Sequence, residues 1–373
     1  MSRDSSLIAT FWEGDEYVVL DQLELPEHKR YLHLKSPAEV REAITSMRLR
    51  GAPLIGAAAS AGAALAFRGA GEPVDRAVFG SVCASLGSAR PTAVNLMAVL
   101  DEMRSFYDDE VAGCATAAEQ FALMQRRSLE IHWRDHDRNR RMAQHGVEWL
   151  RRILPDKRLR VLTHCNTGAL ATCGHGTALG VIRSLHAAGL LKQVWVDETR
   201  PYLQGARLTA FECAEEGIPH TVITDSTAAY LMAQGKVDVV LTGVDRMARN
   251  GDYANKIGTY ALAVAARYHG IPFAPVLPRE SFDLTIPDGT HIVIEERSDE
   301  ELLVFNGRRI APAATSGLHL GFDVVPHGLL SAVITEDGVI EGDIDEKNIS
   351  DLAHRHASAV APAGVWLVSV AAP

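Results

Sequence analysis

A cysteine and an aspartate stand at matching places in this chain, each just past an apolar segment. Leu159-Arg160-Val161-Leu162 gives way to Thr163-His164-Cys165-Asn166, and a later apolar run ends Leu241-Thr242-Gly243-Val244-Asp245-Arg246. A thiolate and a carboxylic acid form a usable base and acid pair for proton transfer. The first apolar segment reads as a short buried strand. Thr167-Gly168-Ala169 opens a run of small and apolar residues that predicts a helix, so the stretch predicts the first half of a βαβ unit. Open α/β sheets bind ligands at the carboxyl ends of their strands. Cys165 falls there, beside a predicted helix N-terminus whose positive end favours a thiolate.

Cysteine is also among the most often buried residue types, so position alone assigns it no role. The weight comes from its neighbours. A second apolar segment ends Val196-Asp197-Glu198-Thr199-Arg200-Pro201, followed by Tyr202-Leu203-Gln204-Gly205, and a third ends Thr224-Asp225-Ser226. One such Asp is usually a cap or a surface ion pair; several at neighbouring strand ends favour a site. Residues 249–259 predict a loop that opens a helix running to about Arg267. That loop places Asn255 and Lys256 near a helix N-terminus, a natural phosphate position.

Other chemistries lack their patterns. There is no His-Glu-x-x-His, no metal-ligand spacing and no Walker phosphate loop. The nearest approach to a dinucleotide fingerprint, Gly174-His175-Gly176 with Gly180, has the wrong spacing and falls inside the predicted helix, which excludes NAD and FAD. The expectation is proton transfer without cofactor or metal, on a substrate held by Arg, Lys, Asn and helix N-termini.

The elements that must position these groups change character along the chain. Residues 7–20 predict two strands around Glu13-Gly14-Asp15. Residues 37–47 predict a helix capped by Ser36. Arg48-Leu49-Arg50-Gly51-Ala52-Pro53 predicts a loop into a buried, alanine-rich helix over 57–66. Ala89-Arg90-Pro91-Thr92 predicts a second loop-to-helix junction, with Pro91 at the first helical position. Residues 115–151 predict charged helices, with a domain boundary near residue 145. Strands at 159–163, 194–197, 221–224, 237–242, 272–276 and 291–294, with helices between the first five, predict a doubly wound parallel sheet. Residues 333–336 and 365–370 predict further apolar segments.

The bulk numbers bound the partners. The 373 residues carry a formal net charge of -10 and no basic run, which argues against nucleic acid and anionic membrane as partners. Five cysteines without a Cys-x-x-Cys predict neither a disulfide framework nor a structural zinc site. No signal peptide is read at Met1-Ser2-Arg3-Asp4, and no apolar run approaches the ~18 residues of a membrane span. The expectation is a cytoplasmic protein.

With these motifs in hand, the chain resembles the methylthioribose-1-phosphate isomerase family, and more widely the fold shared with the regulatory subunits of translation initiation factor 2B. The resemblance runs over nearly the whole length. It is carried by Phe11-Trp12-Glu13, Leu20-Asp21-Gln22, Arg50-Gly51-Ala52-Pro53 with Gly56, Arg90-Pro91-Thr92-Ala93-Val94-Asn95-Leu96 and Thr163-His164-Cys165-Asn166. Glu198-Thr199-Arg200-Pro201-Tyr202-Leu203-Gln204-Gly205-Ala206-Arg207, Gly243-Val244-Asp245-Arg246 and Asn255-Lys256-Ile257-Gly258-Thr259 complete it. The resemblance implies a mostly helical N-terminal domain with a small antiparallel sheet (1–145) and a Rossmann-like catalytic domain (146–373). It implies a homodimer acting in methionine salvage on 5-methylthioribose 1-phosphate, an aldose-to-ketose isomerisation without metal or cofactor. It implies Asp245 as acid at the ring oxygen and Cys165 as base at C2, by a phosphoenolate or a hydride-shift route. Arg50, Gly51, Ala52, Arg90, Gln204, Asn255 and Lys256 would hold the phosphate and the sugar hydroxyls.

The chain departs from the family pattern at Thr167, near Cys173, at residues 277–281 and at residues 319–326. These departures leave the sugar's 5-substituent open among methylthio, hydrogen (5-deoxyribose 1-phosphate) and phosphate (ribose 1,5-bisphosphate, with Arg279 a candidate for the second phosphate). A non-catalytic subunit that binds sugar phosphates or nucleotides is the alternative of another class.

Overall fold

A computed structural model describes residues 7–90, 93–305 and 307–353. The expectations at Pro91, at the extreme N-terminus and at 365–370 lie outside the described residues.

The N-terminal part opens with a three-stranded antiparallel sheet, β1 (Thr10–Glu13), β2 (Glu16–Leu20) and β3 (Tyr31–Leu34). Helix α1 (Pro37–Thr45) starts where Ser36 and Glu39 form a reciprocal capping box, which satisfies two orphan N–H groups. Helix α2 (Ala52–Leu65) begins earlier than predicted, immediately after Gly51, and its residues from Leu54 onward are all buried. Small side chains let α3 (Arg76–Gly87), α4 (Val94–Phe106) and α5 (Ala117–Ile153) close around it. The charged segment near 115–151 is one helix of 37 residues, and residue 145 lies inside it. Met124 and Ile131 of α5 pack in the N-terminal core, while Met142, Val147, Trp149 and Leu150 pack in the core under the parallel sheet.

That sheet contains β4 (Leu159–Thr163), β5 (Leu191–Asp197), β6 (His220–Ile223), β7 (Val239–Thr242) and β10 (Phe273–Pro275), in the order β10-β7-β4-β5-β6, all parallel. The order of connection reverses between β4 and β7, which run parallel, so the switch-point crevice opens at the ends that carry Cys165 and Asp245. Helices α6 (Ala178–Ala187), α7 (Ala210–Glu215), α8 (Thr227–Ala233) and α9 (Thr259–Tyr268) accompany the strands. A four-stranded sheet stands beside the crevice, made of β8 (Arg246–Ala248), β9 (Tyr253–Lys256), β11 (Phe282–Asp283) and the strand Phe322–Val325.

Four local expectations are corrected. The helix after β4 starts at Ala178, not at Thr167, and a single turn at Ala169–Ala171 occupies the predicted first turn. Gly174-His175-Gly176 therefore lies in a loop before the helix. Residues 253–256 form a strand, so Asn255 and Lys256 precede the helix that starts at Thr259. Residues 291–294 are not a strand; they leave the turn Gly289–His291 as irregular chain. At the first of these, a tertiary partner takes backbone groups that the local pattern assigned to a helix, since the Ala169 and Leu170 N–H groups donate to Glu212.

Candidate active site

The carboxyl end of β4 is tied to its neighbours residue by residue. Thr163 Oγ1 donates to the Leu241 carbonyl of β7 at 2.9 Å. The buried His164 ring reaches Asp197 Oδ2 through Nδ1 at 3.0 Å and the Ile257 carbonyl through Nε2 at 2.8 Å. Cys165 follows in the left-handed region, with φ +61°, and its side chain is 9% exposed. The predicted dipole contribution to Cys165 falls away with the helix start at Ala178; the conformation of the turn positions it instead.

The carboxyl end of β7 delivers Asp245. A Cβ on Gly243 would come within 2.7 Å of the Thr167 methyl, so the chain leaves the strand close against the β4 loop. The Asp245 N–H donates to the Ala254 carbonyl at 3.0 Å, which starts the β8–β9 pairing and brings Asn255 and Lys256 beside it. Lys256 Nζ donates to the Gly321 carbonyl at 2.9 Å and stands 4.3 Å from the Phe322 ring centroid. Asn255 is buried, with its amide on Thr259 Oγ1 at 3.0 Å.

The N-terminal part supplies the cationic cradle. Arg50 is buried and grips Asn166 twice, through Oδ1 at 2.6 Å and the main-chain carbonyl at 2.9 Å. Gly51 takes φ +99°, and a Cβ there would meet Ala171 Cα at 2.6 Å, so only glycine lets α2 begin against the β4 loop. Arg90 donates to Met47 Sδ at 3.0 Å. Gln204 is buried, and its Oε1 has no hydrogen-bond partner among the described residues.

Cys165, Asp245, Arg50, Gly51, Ala52, Arg90, Gln204, Asn255 and Lys256 all line one cavity of about 450 Å³. That volume suits a small sugar phosphate. Its lining mixes cationic and polar groups with apolar ones, among them Met47, Ile55, Val94, Ile292, Ile294 and Phe322, and Met47 and Phe322 lie directly against Arg90 and Lys256. Burial raises the Asp245 carboxyl above the ordinary value, against the opposing pull of Lys256, Arg50 and Arg90. Burial lowers Lys256, against the opposing pull of Cys165 and Asp245. Burial thus shifts Asp245 toward its acid form relative to an exposed carboxyl, while the neighbouring cations oppose that shift.

The acidic groups at the ends of β5 and β6 do not line the cavity. Asp197 pairs with His164, and Asp225 accepts the N–H groups of Thr199 and Arg200, each at 2.7 Å. His164, Asp197 and Asp225 bring three potential metal-ligand atoms within 4.8 Å of one another. Their donor atoms are already engaged by protein groups, apart from Asp197 Oδ1, so the cluster is a hydrogen-bond network. Arg279 is not in the cavity lining either; its guanidinium faces Asp337 at 3.6 Å.

The family model described as the Initiation factor 2 subunit family matches residues 49–342. A methylthioribose-1-phosphate isomerase of Caldicellulosiruptor saccharolyticus is 45% identical over 345 residues, covering 92% of this chain and 98% of that protein. The crystal structure of 5-methylthioribose 1-phosphate isomerase from Pyrococcus horikoshii OT3 is 39% identical, with TM-score 0.86 over 93% of this chain and 96% of that one. The chain belongs to the methylthioribose-1-phosphate isomerase family. The wider fold is shared as well: the structure of translation initiation factor eIF-2B, subunit delta, from A. fulgidus is 37% identical, with TM-score 0.81 over 93% of this chain and all of that one.

Three parts of this isomerase-family site were not singled out from sequence. Asn166 is the brace for Arg50 and in turn donates to the buried Glu212 at 2.7 Å. Glu212 also accepts from the Ala169 and Leu170 N–H groups and from Arg183. The irregular segment that includes Ile292 and Ile294 forms cavity wall. Glu212 lies in a helix of ordinary composition and gives no local signal. The wall segment follows Pro287-Asp288-Gly289, a turn signal that argues against a strand there.

Proposed function

We propose that this protein isomerises 5-methylthioribose 1-phosphate to 5-methylthioribulose 1-phosphate, the aldose-to-ketose step of methionine salvage. The observation that carries the reading is the convergence of Cys165 and Asp245, from the two strands that flank the switch point, on one cavity with Arg50, Arg90 and Lys256. The phosphate sits among the cations and helps to neutralise them. Asp245 protonates the ring oxygen as its bond to C1 breaks. The Cys165 thiolate takes the C2 proton, the electron pair forms a C1–C2 double bond, and reprotonation at C1 with loss of the 2-hydroxyl proton gives the ketose. A hydride shift from C2 to C1 uses the same acid at the ring oxygen and needs a base for the 2-hydroxyl proton in place of one for the C2 proton.

The apolar residues in the lining support a methylthio group at C5, and the pairing of Arg279 with Asp337 outside the cavity lining speaks against a second phosphate. A homodimer in the cytoplasm belongs to the same proposal; among the described residues, no helix is long and apolar enough to cross a membrane. The likeness to the A. fulgidus structure keeps a non-catalytic ligand-binding role as the second reading. The deciding experiment is turnover of purified protein on the 1-phosphates of methylthioribose, 5-deoxyribose and 5-phosphoribose, following ketose directly. Preference for the methylthio sugar is expected. Binding without turnover of any of the three would overturn the isomerase reading.

A further inference from the structure

Cys165 sits in a turn that its own residue type does not favour. Left-handed backbone is uncommon outside glycine, and for a β-branched residue it is an outlier. Both Cys165, at φ +61°, and Thr199, at φ +62°, adopt it, at the ends of neighbouring strands. Such conformations persist only where the surroundings over-determine them.

Two buried hydroxyls do so here. The Cys165 N–H donates to Thr199 Oγ1 at 2.8 Å, and Thr199 Oγ1 donates to the Asp197 carbonyl at 3.0 Å. The Cys165 carbonyl accepts from Thr209 Oγ1 at 2.6 Å. Thr199 and Thr209 are both fully buried. Asp225 holds the Thr199 turn in place through two N–H groups. Thr209 Oγ1 also accepts from Asn166 Nδ2 at 3.3 Å, and Asn166 braces Arg50. The hydroxyl of Thr209 therefore touches both the peptide of the cysteine and the support of the phosphate cradle.

We propose that Thr199 and Thr209 are positioning residues that clamp both peptide groups of Cys165 and so aim its thiol into the cavity. The inference rests on the reading of Cys165 as the base. It assigns the two threonines through their hydroxyls rather than their shape, which separates Thr→Ser from Thr→Val: serine keeps donor and acceptor, and valine keeps the volume.

The test uses the full chain with Thr199→Val, Thr209→Val, Thr209→Ala, Thr199→Ser and Thr209→Ser. Four quantities are followed: kcat and KM on the sugar phosphate, the rate of Cys165 alkylation by iodoacetamide read from the mass of its peptide, and the thermal midpoint. A misplaced reacting atom costs up to about 100-fold in rate. Each variant that lacks the hydroxyl is expected to lose about 10- to 100-fold in kcat and to change the Cys165 alkylation rate, with KM held within about threefold in Thr199→Val and raised in the Thr209 variants, which also lose the contact to Asn166. The serine variants are expected to return all four quantities to near the parent.

Hydroxyl-free variants with parent kcat and parent alkylation rates overturn the proposal. So does a loss that serine fails to restore, since that assigns the effect to the methyl group. Thr209→Ala adds no bulk and decides the matter if a valine variant does not fold. A parent protein without turnover would sink the isomerase reading, and the alkylation comparison would still decide the clamp.

Discussion

His164 Nδ1 lies 3.0 Å from Asp197 Oδ2, with both side chains buried at the carboxyl ends of β4 and β5. Because Nε2 faces a carbonyl, it must carry a proton, and the Nδ1–Oδ2 contact holds a second. Burial pulls the imidazole down, and the hydrogen bond and charge of Asp197, the Ile257 carbonyl and the charge of Asp225 together more than reverse this, so His164 ends above its ordinary value. Burial pushes Asp197 up to about 6, against the pull of His164. Both shifts mean that the folded chain holds protons that the unfolded chain releases, from about pH 4 for an Asp and about pH 6.5 for a His. Stability is then fully present below those values and falls as pH rises through the raised ones. The parent's melting temperature should fall as pH rises from about 4 to about 6 through Asp197, and further as pH rises above about 6.5 through His164, and Asp197→Asn should flatten that slope. Equal slopes in calorimetry would remove the pair from the pH dependence.

Cys165→Ser and Asp245→Asn should each lower kcat by about 10²- to 10⁴-fold, the usual contribution of a positioned base or acid. Substrate should still bind, because the cationic cradle is untouched. Steady-state rates with calorimetric binding check both halves. Undiminished turnover in either variant would take that residue out of the chemistry.

Arg50→Lys should raise KM more than it lowers kcat. A lysine cannot reproduce the two-pronged grip on Asn166. A buried acceptor left unpaired costs about 1–3 kcal/mol, a KM rise of about fivefold to 150-fold. Asn166→Ala should shift KM in the same direction, although Asn166 was not among the residues expected to bind. An unchanged KM in Asn166→Ala would show that Arg50 needs no brace.

Glu212→Ala should destabilise the fold by about 3–5 kcal/mol, because it leaves the buried Arg183 with one fewer anionic partner and frees the amides of Ala169 and Leu170. Gly51→Ala should cost about 1–3 kcal/mol through its φ of +99° and the collision with Ala171. Urea denaturation measures both. Parent stability in Gly51→Ala would mean that the start of α2 moves freely away from the β4 loop.

How much of this was legible beforehand follows from where the determining forces act. Strand β4 was read with its observed bounds because a buried parallel strand is a local run of apolar residues bounded by polar ones. The sites after β4 and β7 were legible for the same reason, since the switch-point rule converts strand order into a place. The helix expected at Thr167 was not, because the stretch has the composition of a helix but its amides go elsewhere. Ala169 and Leu170 give theirs to Glu212, more than forty residues away, and no local pattern records that. Residues 253–256 were read as loop because their strand partners lie on both sides in sequence, at 246–247 and at 322–325. Arg50 and Arg90 joined the site through resemblance alone; spacing along the chain gives no hint that α2 abuts Cys165.

Helix α5 bears on how the protein can be handled. At 1.5 Å per residue its 37 residues span roughly 55 Å, and it acts as a common spine: its first half is sealed into one core and its second half into the other. A fragment ending at residue 145 would cut the spine, strip Trp149 and Leu150 from the parallel sheet, and leave each piece with a bare apolar stripe. Expression of either half alone should give aggregates, and the two halves are best regarded as one folding unit hung on a single rod.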